Sequence, residues 1–264
     1  MTGEPRRVLV LVPFPMTSDQ IALRAAQATE AGLPPGIELD YRSVRAAPSG
    51  YVSQHDYVLA DVSILEAGLN AQDDGYDAVC VDTVSDSGTA ALRSMLDIPV
   101  VAAGKSMYAV ALMLGRTFGI LSMWTRWFGL YERSLREVGL GAQCAGMRAI
   151  DVHPDNRNLL GGKEDEVLPR LLEAGIELIE EDGADVICLG STTMHEAHGY
   201  LQERLPVPVI NPGPLSYLVA EALTALDLTH SRASYPRPLV SKESMLVEML
   251  GAAVRAEAEQ DRPS

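Results

Sequence analysis

Two stretches of this chain close a run of apolar residues on a cluster of hydroxyls. The first, "DAVCVDTVSDSG" from Asp77 to Gly88, sets Thr83, Ser85 and Ser87 around a turn. The second, "DVICLGSTTMHEAHG" from Asp185 to Gly199, sets Ser191, Thr192 and Thr193 in the same place. Where a strand ends and a helix starts, backbone N–H groups are free, and hydroxyls beside them make a cradle for a carboxylate or similar anion. Ordinary helix capping explains either stretch taken alone. It explains matched clusters at two places less well. The expected catalytic residues are therefore Thr83 and Ser191, with Ser85, Thr192 and Thr193 as substrate contacts.

Groups able to move a proton stand nearby. His195 follows Ser191 by four positions and is the best acid or base for neutral pH; the alternative is a solvent-facing first-turn histidine. Asp82 and Asp86 flank Thr83, either as acid–base or binding groups or as caps and surface charges. Phe14, after "RRVLV", Ser122 and Trp124, in "LSMWTRWFGLY", complete an expected substrate pocket with an apolar wall. Trp124, Trp127 and Tyr131 suit either a lid or core packing, and Arg126 between the tryptophans suits a substrate carboxylate. Lys105 reads better as exposed. His195, His198 and an aspartate are too common a helix pattern to signal a metal, so none is expected.

The elements that position these residues alternate. "RRVLVLVPFP" reads as a strand buried on both faces and stopped by Pro13 and Pro15. "TSDQIALRAAQATEAG" reads as a helix, with Thr17 or Ser18 as its cap and Gly32 as its stop. Strand and helix patterns alternate from there to "VPVINP", ahead of a last helix over "LSYLVAEALTALDL". A tail over "RASYPRPLV" and "RAEAEQDRPS" reads as loosely held. Such alternation means parallel sheets wound from βαβ units, with ligands outside the carboxyl ends of the strands.

The chain also repeats itself. "GYDAVCVDT" (Gly75 to Thr83) aligns without a gap on "GADVICLGS" (Gly183 to Ser191), and "IPVV" and "VPVI" follow each at similar spacing. The two hydroxyl sites then belong to two related halves and face each other across a cleft.

Bulk composition narrows the function classes. The 264 residues carry 21 basic and 36 acidic side chains, for a net charge of −15. That surface repels nucleic acid and anionic lipid. Three cysteines without metal spacing fit a reducing compartment. No signal peptide, membrane span or phosphate-binding glycine loop is expected, and the location is expected to be cytoplasmic.

The chain resembles the aspartate/glutamate/hydantoin racemase superfamily, and within it the hydantoin racemase branch. The stretches that carry the likeness are "YDAVCVDTVSDSGTAALRSMLDIPVVAAG", "LGRTFGILS", "MRAIDV", "EEDGADVICLGSTTM" and "VPVINP". The resemblance implies an α/β fold of two Rossmann-like parallel-sheet lobes related by a pseudo-twofold axis, with the active site in the cleft between them. The expected boundaries are 1–103 plus 213–240 for the first lobe, 104–212 for the second, and 241–264 for a C-terminal helix and polar tail. It implies a cofactor-independent isomerase of racemase or epimerase type. The partner is a small carboxylate or cyclic amide such as a hydantoin, and the chain works as a homo-oligomer. In that family each of the two strand ends bears a cysteine, and the matching positions here are Thr83 and Ser191. Cys80 and Cys188 lie three residues earlier, roughly 10 Å back and on the opposite strand face, and read as core. Loss of both thiols leaves two alternatives on the same scaffold: a lyase, either decarboxylating, as arylmalonate decarboxylase does, or dehydrating, and a non-catalytic small-anion binder.

Overall fold

The computed structural model describes residues 5–33, 36–155 and 162–260. In chain order the elements are β1 (Arg6–Val12), α1 (Ser18–Glu30), β2 (Ile37–Ser43), α2 (Gln54–Gly68), β3 (Ala78–Val81), α3 (Thr89–Met95), β4 (Val100–Ala102) and α4 (Ala103–Leu114). Then follow β5 (Phe118–Ser122), a 3-10 turn at Thr125–Trp127, α5 (Phe128–Val138), β6 (Cys144–Ala149), α6 (Glu164–Glu180), β7 (Ile187–Leu189), α7 (His195–Gln202), β8 (Val209–Ile210), α8 (Pro212–Ala225) and α9 (Glu243–Gln260).

Among the described residues the strands form two four-stranded sheets, β2-β1-β3-β4 and β6-β5-β7-β8. The order is the same in both, so the sequence repeat is a repeat of topology. The strands run parallel, as the βαβ alternation requires. In each sheet the order turns back between the first strand and the third (β1 and β3, β5 and β7), the switch point where such sheets bind ligands.

The chain divides into two compact units. One holds the residues up to Asp82, Ser87–Val101 and everything from Tyr217 onward; the other holds Thr83–Asp86 and Ala102–Ser216. In the first unit, strand alternation sorts the core into two layers. Leu9, Leu11, Val79 and Val81 pack with Ile64 of α2 and Leu92 of α3. Val8, Val10, Ala78 and Cys80 pack with Ala28 of α1 and Tyr217 and Ala220 of α8. In the second unit Phe118 stacks on Tyr108 of α4. A methyl group on Gly119, one residue on, would meet Leu178 of α6 at 2.9 Å, so α6 lies close on the opposite face.

Reciprocal capping boxes set two helix starts. α2 begins at Gln54, ahead of its apolar run, because Ser53 and Asp56 form a reciprocal capping box. α1 starts after Thr17, whose side chain accepts from Gln20 N in the same arrangement. The tail expected to be loose is tied down. Arg232 and Arg237 both pair with Asp97, Thr229 Oγ1 donates to the Asp97 carbonyl at 2.8 Å, and Arg93 Nη1 donates to Tyr235 Oη at 2.9 Å. Residues 261–264, the last of the expected polar tail, lie outside the described residues.

Candidate functional site

The first hydroxyl turn begins where β3 leaves its sheet. Asp82 has the strand parity of Ala78 and Cys80, so its side chain enters the layer beneath α1. There its carboxylate meets Arg24, with Nε and Nη2 both 2.7 Å from Oδ2. Both side chains are almost fully buried, at 3% and 1% exposure. Thr83 has the opposite parity. Its Oγ1 lies 3.1 Å from Ser85 Oγ in a hydroxyl–hydroxyl hydrogen bond and accepts from Ser85 N at 3.3 Å. Asp86 adopts a left-handed backbone at φ 55°. Its carboxylate accepts from Gly104 N at 2.8 Å and Lys105 N at 2.9 Å, the first turn of α4. Of the two aspartates expected as acid–base or binding groups, or as caps, Asp82 stands in a buried ion pair and Asp86 holds the first turn of α4. Gly88, which starts α3 at φ 72°, has no room for a side chain, since a methyl there would meet Ile64 at 2.5 Å.

The second turn has the same internal geometry. Ser191 Oγ lies 2.7 Å from Thr193 Oγ1 and accepts from Thr193 N at 3.1 Å. Thr192, between them, is buried. Behind this turn stands a polar tie. Tyr131 Oη donates to the Gly190 carbonyl at 2.7 Å and lies 2.9 Å from Ser122 Oγ. Tyr131 and Ser122 have no exposed surface. Ser122, expected as a substrate contact, therefore braces the turn from beneath. A side chain on Gly190 would meet Tyr131 Oη at 2.5 Å, so this brace requires glycine before Ser191.

His195 opens α7, and its Nδ1 lies 2.8 Å from Asn211 Nδ2 at the end of β8. Sequence reading passed over Asn211, Tyr131 and Arg24 as partners; only the "NPGP" run at the end of β8 hinted that Asn211 was special. His198 faces away, with Nε2 3.1 Å from the Val209 carbonyl. Both hydroxyl turns, His195 and Asn211 belong to the second unit. Phe14 belongs to the first, edge-on to Tyr51 at 5.2 Å. Trp124 is partly exposed, packed against Trp127 and His153 and under the Arg126 guanidinium. Lys105 is engaged by Glu137 at 3.1 Å.

No thiol is placed for base chemistry. Cys80 and Cys188 are buried in the two cores, and burial pushes the Cys188 thiol well above its ordinary value. Burial also pushes Cys144 up to about 11. Among the described residues no group of three or more His, Cys, Asp or Glu could hold a metal ion, and no helix is long and apolar enough to cross a membrane.

Comparison with known proteins adds a family. The model for Asp/Glu/Hydantoin racemase matches residues 10–218. A hydantoin racemase of Paenarthrobacter aurescens is 28% identical over 233 residues, 87% of this chain and 97% of that protein. One of Rhizobium meliloti is 30% identical over 168 residues, 62% and 68% of the two chains. The crystal structure of allantoin racemase from Pseudomonas fluorescens superposes with a TM-score of 0.80 at 26% identity, covering 89% of this chain and 98% of its own. These relatives favour an isomerase over the lyase and binder alternatives.

Proposed function

The chain belongs to the Asp/Glu/Hydantoin racemase family, and from that premise we propose that it inverts a carbon centre beside the carbonyl of a small cyclic amide of the hydantoin type, without a cofactor. The observation that carries this reading is the matched pair of hydroxyl turns, Thr83–Ser85 and Ser191–Thr193, at corresponding strand ends and within one compact unit.

The hydrogen on such a carbon is acidic because the electron pair it leaves behind spreads onto the carbonyl oxygen. Donors aimed at that oxygen stabilise the charge as it develops, each contributing about 3 kcal/mol in well-ordered sites. Thr83, Ser85, Ser191 and Thr193 supply hydroxyls, held in place by the Ser85 and Thr193 amides, and His195 supplies a ring nitrogen. The C–H bond breaks as its proton passes to hydroxide from the solvent, forming water, and its electron pair moves to the oxygen. The flat enolate then takes a proton from water on either face, which inverts or restores the centre. A free hydroxyl is a poor base, so Thr83 and Ser191 bind and orient instead of carrying the proton. In this scheme Trp124 forms an apolar wall for the ring substituent.

The reading extends to a cytoplasmic homo-oligomer. A net charge of −15 and three cysteines that form no disulfide support the compartment. Apolar side chains left exposed, such as Met113 and Leu239, support association.

Enantiopure hydantoins and allantoin, incubated with the protein and followed by polarimetry, test the proposal. Decay of rotation with the compound intact supports it. Unchanged rotation across the series, or conversion to another compound, contradicts it.

A further inference from the structure

We infer that Asn211 is a positioning residue that holds His195 as a neutral imidazole carrying its hydrogen on Nε2, so that His195 works as a hydrogen-bond donor and not as a base. The use of that donor in turnover rests on the isomerase reading above; the state of the ring does not.

The inference starts from an oddity of sequence. Asn211 stands immediately before Pro212, the first residue of α8, which is the cap position of that helix. An asparagine there ordinarily turns its side-chain oxygen to accept an N–H from the second or third helical residue. In "NPGP" the first and third helical residues are prolines, which have no N–H to give, so only the Gly213 N–H is left for such a cap. Asn211 does not cap: its Oδ1 is buried and makes no hydrogen bond among the described residues. The amide instead presents Nδ2 to His195 Nδ1 at 2.8 Å, across the gap between the ends of β7 and β8.

The chemistry of that contact is one-sided. An amide nitrogen donates and cannot accept, so Nδ1 must be the acceptor. A neutral imidazole that accepts at Nδ1 carries its hydrogen at Nε2. Charging the ring would put a second hydrogen on Nδ1, facing an N–H. With Nδ2 on Nδ1, the ring's hydrogen sits on Nε2. A neutral imidazole N–H polarises a carbonyl and stabilises the enolate oxygen that forms from it. His195 follows the Ser191–Thr193 turn by two residues and opens the helix that the turn leads into.

The test is 15N spectroscopy of the uniformly labelled full chain near neutral pH, with His195→Gln identifying the His195 resonances among the five histidines. Long-range proton–nitrogen spectra distinguish the two neutral forms and the charged ring without any substrate. The expected result is a protonated Nε2 and a bare Nδ1 in the wild type. A proton on Nδ1 overturns the inference. In Asn211→Asp the new carboxylate accepts, so Nδ1 gains the proton; an unchanged ring in that variant also overturns it. The same variant is expected to lose about tenfold in kcat with KM little changed, and an undiminished kcat alongside a switched ring would remove the positioning role. Absence of racemisation by the wild type would sink the isomerase reading while the nitrogen spectra still decide the state of His195.

Discussion

Ser191 Oγ and Thr193 Oγ1 lie 2.7 Å apart, closing a turn that Thr83 and Ser85 form in the same way at the corresponding strand end. A hydroxyl pair held that closely has fixed directions for its remaining hydrogen and lone pairs. Removing Ser191 Oγ costs little stability, about 1 kcal/mol, because the pair is only partly buried. It removes a donor from the developing oxyanion. Ser191→Ala and Thr83→Ala are each expected to lower kcat/KM by at least about tenfold, or about 1.4 kcal/mol. Thermal unfolding should place both variants near the wild type.

The Arg24–Asp82 pair is buried at the end of β3. Removing one charge from a buried pair strands the other, at a cost of about 3–5 kcal/mol, whereas replacing both by apolar groups of similar size is often tolerated. Arg24→Met and Asp82→Leu should each be strongly destabilised in urea unfolding, and the double variant should recover most of the loss. Equal and additive losses would mean that the two residues do not act as a pair.

Tyr131→Phe deletes the hydroxyl that joins Gly190 to Ser122. It leaves a buried carbonyl and a buried hydroxyl short of a partner, at about 1–3 kcal/mol. Because Gly190 directly precedes Ser191, the expected result is a lower melting temperature together with a lower kcat. Loss of stability at full activity would show that the brace does not set the turn.

Acid should loosen the strap that follows α8. The Arg232 hydrogen bond, then the Arg232 and Arg237 charges, hold the Asp97 carboxyl below its ordinary value. A group whose pKa is depressed by folding stabilises the fold above its unfolded pKa, about 3.9, and that stability is lost as pH falls through the lower folded value. Asp97→Asn mimics the acid form at neutral pH. Limited trypsin digestion should cut this variant after Arg232, which Ala233 follows, faster than the wild type, and equal rates would count against the strap.

The Cys144 thiol, pushed up to about 11 by burial, is expected to react with iodoacetamide only slowly near neutral pH and faster as the solution is made alkaline. Rapid labelling at neutral pH would show a thiolate that the fold does not predict.

The sheet order was legible because each strand is a short run of β-branched and apolar residues bounded by glycine, proline or a hydroxyl, and because Gly75–Thr83 and Gly183–Ser191 share one pattern. Strand parity alone placed Cys80 and Cys188 in the cores. What parity could not give was partners. Asp82 read as an acid because nothing local shows that Arg24, on a helix far earlier in the chain, turns inward to meet it. Asp86 read as a binding group because its left-handed turn toward α4 depends on a glycine many residues later having no side chain in the way. Ser122 and Asn211 took their meaning from Tyr131 and His195, each brought near by the winding of the second sheet. The tail looked loose because its many charges read as solvated until Asp97 was seen to gather two of its arginines.

The central claim is that the hydroxyl turns, and not a thiol, support removal of a proton beside a carbonyl. The most direct measurement is deuterium entry at the ring carbon of an enantiopure hydantoin in D2O, followed by proton NMR for the wild type, for Cys80→Ala, Cys144→Ala and Cys188→Ala taken singly, and for Ser191→Ala side by side. The account predicts exchange near the wild-type rate in each cysteine variant and exchange at least about tenfold slower with Ser191→Ala. Exchange abolished by loss of a cysteine, or undiminished in Ser191→Ala, would contradict it.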